Sequence, residues 1–217
     1  MLKPSKKKTI LITAGPTIEP LDPVRYLSNY STGEMGYELA KESKRRGYKT
    51  ILISGPTSLE APKGAHFIPV KTALDMQRAV RRFFKSADCI IMTAAVCDFR
   101  PAIFCKSKIK KFSKKTLSLK LTRNPDILSG LAKIKKQCIL IGYSLETDKP
   151  VENAKRKLKS KGLDVVVGNK RGGKSNPFGP GAKDITIIDS KGTMKRLRKA
   201  SKAKIARILL DKVKTLW

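Results

Sequence analysis

Short, almost wholly apolar runs alternate along this chain with longer stretches whose apolar residues recur every three or four positions. The apolar runs cover 10–13, 50–54, 88–94, 138–143 and 164–167. Such runs, without polar alternation, fit strands buried on both faces, as in a parallel sheet. Between them a helical period appears over 35–46, 73–84, 151–161 and 202–214, and from Asn124-Pro125-Asp126 through 135. Gly47 and Gly162 stop two of these helices, and Thr72 stands where an N-cap is wanted. In the last helix Ile205, Ile208, Leu209 and Val213 share one face.

Three segments depart from this alternation. The basic run 106–115 leads into 116–121, whose alternation predicts an edge or hairpin strand. Residues 170–183 read as a Gly/Pro/Lys-rich loop, long enough to suggest a mobile or functional one. Runs at 185–188 and 194–197 flank a Ser190-Lys191-Gly192-Thr193 turn and predict a hairpin. The fold class is therefore α/β: a Rossmann-like, largely parallel open sheet with helices on both faces and a small β-hairpin or flap element. One domain over 1–217 is expected, with an insertion at about 101–123. No internal repeat is visible.

Ligands of open α/β sheets gather at the carboxyl ends of the strands. That rule collects Gly15–Thr17, Gly55-Pro56, Ala94–Asp98, Gly142–Glu146 and Gly168-Asn169 along one edge and predicts one cleft for a nucleotide-sized ligand. Strand one breaks at Gly15-Pro16, and the turn Ser31-Thr32-Gly33-Glu34-Met35-Gly36 opens a helix. Amides of a first helical turn lack intrahelical partners and the helix dipole favours an anion there, so this order suits a phosphate.

Composition narrows the chemistry. The 217 residues, 40% hydrophobic, suffice for one substantial core. No run approaches the ~20 apolar residues that cross a bilayer, and the basic N-terminus enters strand one without a separate apolar segment, so a cytoplasmic location is expected. Cys89, Cys97, Cys105 and Cys138 show no paired CxxC spacing and read as free thiols. His66, the only histidine, lies in a Gly-Ala-His-Phe loop and reads as a surface or packing residue, so zinc and histidine-based triads are disfavoured. The net charge of +31 would attract any polyanion, but it is spread over nearly every polar position and aromatics make up only 6%. A general lysine bias explains it better than a dedicated nucleic-acid surface.

Five ordered pieces then carry a resemblance. Ala14-Gly15-Pro16-Thr17-x-Glu19-Pro20-x-Asp22-Pro23-Val24-Arg25 runs into Ser28-Asn29-x-Ser31-Thr32-Gly33-x-Met35-Gly36. Ala94-Ala95-Val96-x-Asp98-Phe99-Arg100, Lys108-Ile109-Lys110-Lys111, Asn124-Pro125-Asp126-Ile127, and Gly142-Tyr143 with Glu146-Thr147 follow. Together they resemble the phosphopantothenate–cysteine ligases over nearly the whole chain.

The resemblance implies amide formation between 4′-phosphopantothenate and L-cysteine in coenzyme A biosynthesis. It implies CTP as co-substrate (ATP less favoured), an acyl-cytidylate intermediate, Mg²⁺, no FMN and a homodimer, with 101–123 as its flap and dimerisation insertion. It implies Asn29 and Lys108 as the catalytic residues, Lys108 on a flap over the nucleotide and Asn29 in turnover of the acyl intermediate. Nucleotide contacts are implied for Met92, Thr93, Ala94, Asp98, Lys108, Pro125, Asp126, Ile127, Leu128, Tyr143, Lys157 and Lys161. Phosphopantothenate contacts are implied for Gly15, Asn29, Ser31, Gly33, Gly36, Ala94 and Ala95; the metal ligands stay open.

The chain departs from the family pattern in places. Fewer than ten residues precede strand one, so the flavin-dependent decarboxylase of many relatives is expected as a separate protein. Tyr143 stands where phenylalanine is usual, Gly168-Asn169-Lys170 lacks the customary Asp, and the loop around Phe178 lacks the usual acidic residue and asparagine. Two other classes fit the sequence less well. A short-chain-type NAD(P)-dependent oxidoreductase would need GxGxxG spacing and a Tyr-x-x-x-Lys pair, both missing. A basic nucleic-acid-associated protein has only the charge in its favour.

Overall fold

A computed structural model of the chain describes residues 7–110, 116–170, 178–179 and 181–217. The chain opens with β1 (Thr9–Ala14), a small hairpin of β2 (Ile18–Pro20) and β3 (Tyr26–Ser28), and α1 (Glu34–Arg45). Then come β4 (Lys49–Ser54), β5 (His66–Pro69), α2 (Ala73–Phe84) and β6 (Cys89–Met92). A second small hairpin pairs β7 (Phe99–Pro101) with β8 (Leu121–Arg123), and α3 (Ile127–Ala132) follows. The rest is β9 (Ile139–Glu146), α4 (Pro150–Ser160), β10 (Val165–Lys170), β11 (Lys183–Asp189), β12 (Met194–Ala200) and α5 (Lys202–Lys214).

One eight-stranded sheet organises these elements in the order β12-β11-β10-β9-β6-β1-β4-β5. From β10 to β5 every neighbour is parallel, and at one edge β11 pairs antiparallel with both β10 and β12. This is the Rossmann-like architecture the sequence predicts. Alternate strand residues feed two cores, as the two-residue period of a strand requires. Ile10, Ile12, Leu52 and Ile91 pack with Leu39 of α1 and Leu209 of α5. Leu11, Ile53, Ile90 and Leu140 pack on the other face with Met76 and Val80 of α2, Leu131 of α3 and Ala154 of α4.

Local signals set the helix ends. Thr72 caps α2 through a reciprocal capping box with Asp75, and Ser201 accepts from the Lys204 amide at the start of α5. Arg46 is the C-cap of α1, and Gly47 follows with φ +80°.

Four expectations need correction. The strand expected at 116–121 is only Leu121–Arg123, because its partner β7 offers three residues for pairing. The helix expected to reach 135 ends at Ala132, and Lys135 turns away to pair with Asp164 at 2.7 Å. The run 88–94 is a strand only over Cys89–Met92, since the chain beyond it bends into the cleft described below. His66 is not in a loop: it sits on edge strand β5, edge-to-face with Phe83 at 5.3 Å. The basic run continues through 111–115 and the Gly/Pro/Lys-rich loop through 171–177, and those stretches lie outside the described residues.

Candidate active site

Strand order reverses between β1 and β6: the chain goes from β1 outward to β4 and β5, then returns to β6 and continues the other way to β9 and β10. A crevice opens at such a switch point, beyond the carboxyl ends of the two strands. The chain segments leaving β1 and β6 stay bonded to each other. The Ala95 amide donates to the Gly15 carbonyl at 2.9 Å and the Thr17 amide to the Ala95 carbonyl at 3.1 Å.

Two cavities share this crevice. The first, about 500 Å³, is lined by Met92, Ala94 and Asp98 from the β6 end, by Pro125, Asp126, Ile127 and Leu128 at the start of α3, and by Tyr143, Lys157 and Lys161. The second, about 340 Å³, is lined by Asn29, Ser31, Gly33 and Gly36, and by Thr93, Ala94 and Ala95. Ala94, Val96, Tyr143 and Lys157 border both. The residues expected at a nucleotide thus meet around one cavity, except Thr93, which borders the other, and Lys108, which borders neither. Those expected at phosphopantothenate meet around the second, except Gly15. Gly15 lies behind that wall with φ +72°, and a Cβ there would come within 2.9 Å of the Gly55 carbonyl.

Close packing explains the glycines of the turn. Gly33 is the N-cap of α1 with φ +80° and no side-chain cap, and its amide donates to Ser31 Oγ at 3.3 Å. A Cβ on Gly36 would stand 2.5 Å from Ala14 Cβ and 2.7 Å from Thr93 Oγ1. The first turn of α1 is therefore pressed onto the ends of β1 and β6, with its amide end toward the cavity. Lys183 and Lys202, both buried, line the same cavity, and Lys202 pairs with Glu34 and donates to the Gly179 carbonyl at 3.2 Å. Sequence reasoning missed these two lysines, because nothing local separates them from the other Lys and Arg among 48.

Asn29 projects toward the β6 end. Its Nδ2 donates to the Ala95 carbonyl at 2.9 Å and lies 3.4 Å from Cys97 Sγ. Burial pushes the Cys97 thiol up, so it stays protonated and is a poor nucleophile. Across the cleft, Lys157 Nζ donates to the Tyr143 carbonyl at 2.6 Å. Burial lowers the pKa of that ammonium, and the nearby Glu146 carboxylate opposes the shift. Lys161 pairs with Asp126, whose carboxylate also caps α3 through the Ser129 amide at 2.9 Å. Burial works to raise the Asp126 pKa, but Lys161 and Ser129 hold it below the usual carboxylate range. Two polar atoms around the second cavity, Tyr143 Oη and Asn169 Oδ1, are buried without a hydrogen-bond partner among the described residues.

Residues 5–216 match the family described as DNA/pantothenate metabolism flavoprotein C-terminal domain. The chain belongs to this family. It is 41% identical over 214 residues to the coenzyme A biosynthesis bifunctional protein CoaBC of Bacillus subtilis, covering 98% of this chain and 52% of that protein. It is 38% identical over 216 residues to a prokaryotic protein named cysteine/cysteine sulfinic acid decarboxylase, covering 99% of this chain and 60% of that one. The chain thus spans about half the length of the curated relatives it matches. Among solved structures, the C-terminal domain of a CoaBC protein superposes with a TM-score of 0.82 at 34% identity, covering 96% of this chain and 95% of that one.

Within this flavoprotein C-terminal domain, the motif acids Glu19 and Asp22 turn out to be buried anchors. Glu19 Oε1 accepts from the Ala73 amide at the start of α2, at 2.9 Å. Asp22 accepts from the amides of Val24 and Arg25 and, across the fold, from that of Ile109. Lys108 therefore sits beside a pinned residue, while Lys111 lies outside the described residues. Phe178 borders the second cavity, and Thr32 Oγ1 donates to its carbonyl at 3.4 Å; Asn176, Pro177 and Pro180 also lie outside the described residues. No helix among the described residues is long and apolar enough to cross a membrane.

Proposed function

We propose that this domain joins 4′-phosphopantothenate to L-cysteine through an acyl-cytidylate, as a step of coenzyme A biosynthesis. The observation that carries the reading is the common border of the two cavities at Ala94, Val96, Tyr143 and Lys157. A carboxylate reaching from the second cavity and a nucleotide α-phosphate reaching from the first would meet there.

The second cavity suits a phosphorylated acid. The amide end of α1 and Lys202 would receive the phosphate, while Asn29 and Ala95 would lie at the carboxylate end. The first cavity suits a nucleotide: the residue pairs at the α3 start present main-chain groups for a base, and Lys157 and Lys161 face the phosphates. In the first step a carboxylate oxygen attacks the α-phosphorus and pyrophosphate leaves. Cations must follow the charge onto that leaving group, the role we give to Lys108 and Lys157. In the second step the cysteine amine attacks the acyl carbon and CMP leaves. Asn29, whose amide both donates and accepts, would hold the acyl group in place.

Mg²⁺ would add charge neutralisation on the triphosphate. Among the described residues no three His, Cys, Asp or Glu side chains converge, and Asp126 at the first cavity is already paired with Lys161. An ion carried on the nucleotide's own phosphates, with few protein ligands, is compatible with the described side chains. A homodimer is supported by the exposed apolar residues Val24, Tyr26, Tyr30, Phe99, Ile103 and Phe104 on and beside the two small hairpins.

The test is a pyrophosphate-release assay with 4′-phosphopantothenate, comparing CTP with ATP, with and without cysteine. CTP-dependent pyrophosphate release and amide product only on adding cysteine are expected. No release with either nucleotide overturns the reading, and release with ATP alone overturns the choice of CTP.

A further inference from the structure

Lys108 borders neither cavity, yet the residue after it is held through both its amide and its carbonyl. The Ile109 amide donates to Asp22 Oδ2 at 3.0 Å, and Arg25 Nη2 donates to the Ile109 carbonyl at 2.8 Å. Arg25 in turn donates from Nε to Asp22 Oδ2 at 3.1 Å. A further main-chain bond, from the Cys105 amide to the Leu21 carbonyl at 3.0 Å, ties the same segment down. The Asp22 side chain is fully buried, and these contacts keep its carboxylate ionised by holding its pKa far below the usual range, Arg25 most of all. Four residues beyond Arg25 along the same stretch stands Asn29.

We propose that Asp22, with Arg25, is a positioning residue for Lys108, locking the segment that carries this lysine onto the stretch that carries Asn29. The inference rests on the reading of Lys108 given above. A reaction that needs a cation at one phosphate and an amide at one acyl group gains from a fixed relation between the two, and small displacements are costly. A loop lysine alone would spread over many conformers; a clamp on its neighbour restricts them.

The two oxygens of Asp22 do separable work, which makes the idea testable. Oδ1 accepts from the Val24 and Arg25 amides, each at 2.8 Å, and so holds the local turn. Oδ2 faces Ile109 and the Arg25 guanidinium, and so holds the Lys108 segment. Asp22→Asn keeps an oxygen for the turn but puts an NH₂ donor opposite three N–H donors, two of Arg25 and one of Ile109. The turn survives and the clamp opens.

The experiment measures pyrophosphate release with CTP and 4′-phosphopantothenate for wild type, Asp22→Asn, Lys108→Gln and the double variant. The clamp predicts a fall in kcat of about ten- to a hundredfold for Asp22→Asn with KM for CTP changed by less than about threefold. It further predicts that Asp22→Asn costs little more once Lys108 is Gln, because both act through one group. Arg25→Gln, which removes the other half of the clamp from a partly exposed position, repeats the test should Asp22→Asn fold poorly. Unchanged kcat in both clamp variants, or fully additive losses, overturns the proposal. An inactive wild type, or a Lys108→Gln enzyme as fast as wild type, overturns instead the functional reading on which it stands.

Discussion

The Asn29 side-chain amide donates to the Ala95 main-chain carbonyl at 2.9 Å. This bond links the hairpin segment after β1 to the segment after β6, so Asn29 is held by Ala95, whose neighbours Ala94 and Val96 border both cavities. Asn29→Asp replaces the donor by a carboxylate facing a carbonyl. Pyrophosphate release should persist while amide formation slows by about a hundredfold, and quenched reactions analysed by mass should contain acyl-cytidylate.

Gly36→Ala tests the press of α1 onto the sheet. Its Cβ would stand 2.5 Å from Ala14 Cβ and 2.7 Å from Thr93 Oγ1, so the helix start must shift. A loss of about 1–3 kcal/mol in unfolding free energy is expected, as for other overpacked sites, read by denaturant titration. Gly130→Ala, with open space at its Cβ, is the control and should be near neutral or slightly stabilising.

Tyr143 and Tyr37 form an internal comparison. The Tyr37 hydroxyl accepts from Thr57 Oγ1 at 3.1 Å, whereas the Tyr143 hydroxyl is buried with no partner among the described residues. Tyr143→Phe removes an unpaired polar group and keeps the ring. The ligand-free protein should gain about 1 kcal/mol, seen as a rise of about 2–4 °C in Tm.

Acid should loosen the contact between α1 and α5. The Arg45 guanidinium, with Arg46 assisting, holds the Glu42 carboxyl down at about 2 against burial. Arg46 carries the link onward to Asp211 at 2.8 Å and to the Arg207 carbonyl at 2.9 Å. A carboxylate with a lowered folded pKa stabilises the protein above its unfolded value and loses that contribution as pH falls through the folded one. With the ordinary value at 4.5, the window runs from there down to about 2. Glu42→Gln should remove about 1–2 kcal/mol at neutral pH, after allowance for the exposed Arg45, and flatten the stability profile in that window.

Much of the fold was legible because its signals are local. Continuous apolar runs marked β1, β4, β6, β9 and β10, and Thr72, Gly47 and Gly162 marked helix ends whose caps need only neighbours. The short strands β2, β3 and β7 and edge strand β5 were not foreseen: three or four residues carry no period, and each exists only through its partner. For the same reason 116–121 alternates like a strand but pairs only at its end.

The site divides along the same line. Order and spacing pointed to the turn Ser31–Gly33–Gly36 and to the crevice at strand ends, since those follow from residue type and chain direction, whereas Asn29 was implied only by the family resemblance. Tertiary structure alone decided that Lys183 and Lys202 belong with that turn, that Asp22 reaches Ile109, and that Gly15 lies behind the cavity wall. In a chain with 48 Lys and Arg, charge at a position says nothing of its partner. Only the path of the backbone brings residues 87 positions apart, such as Asp22 and Ile109, within reach of one hydrogen bond.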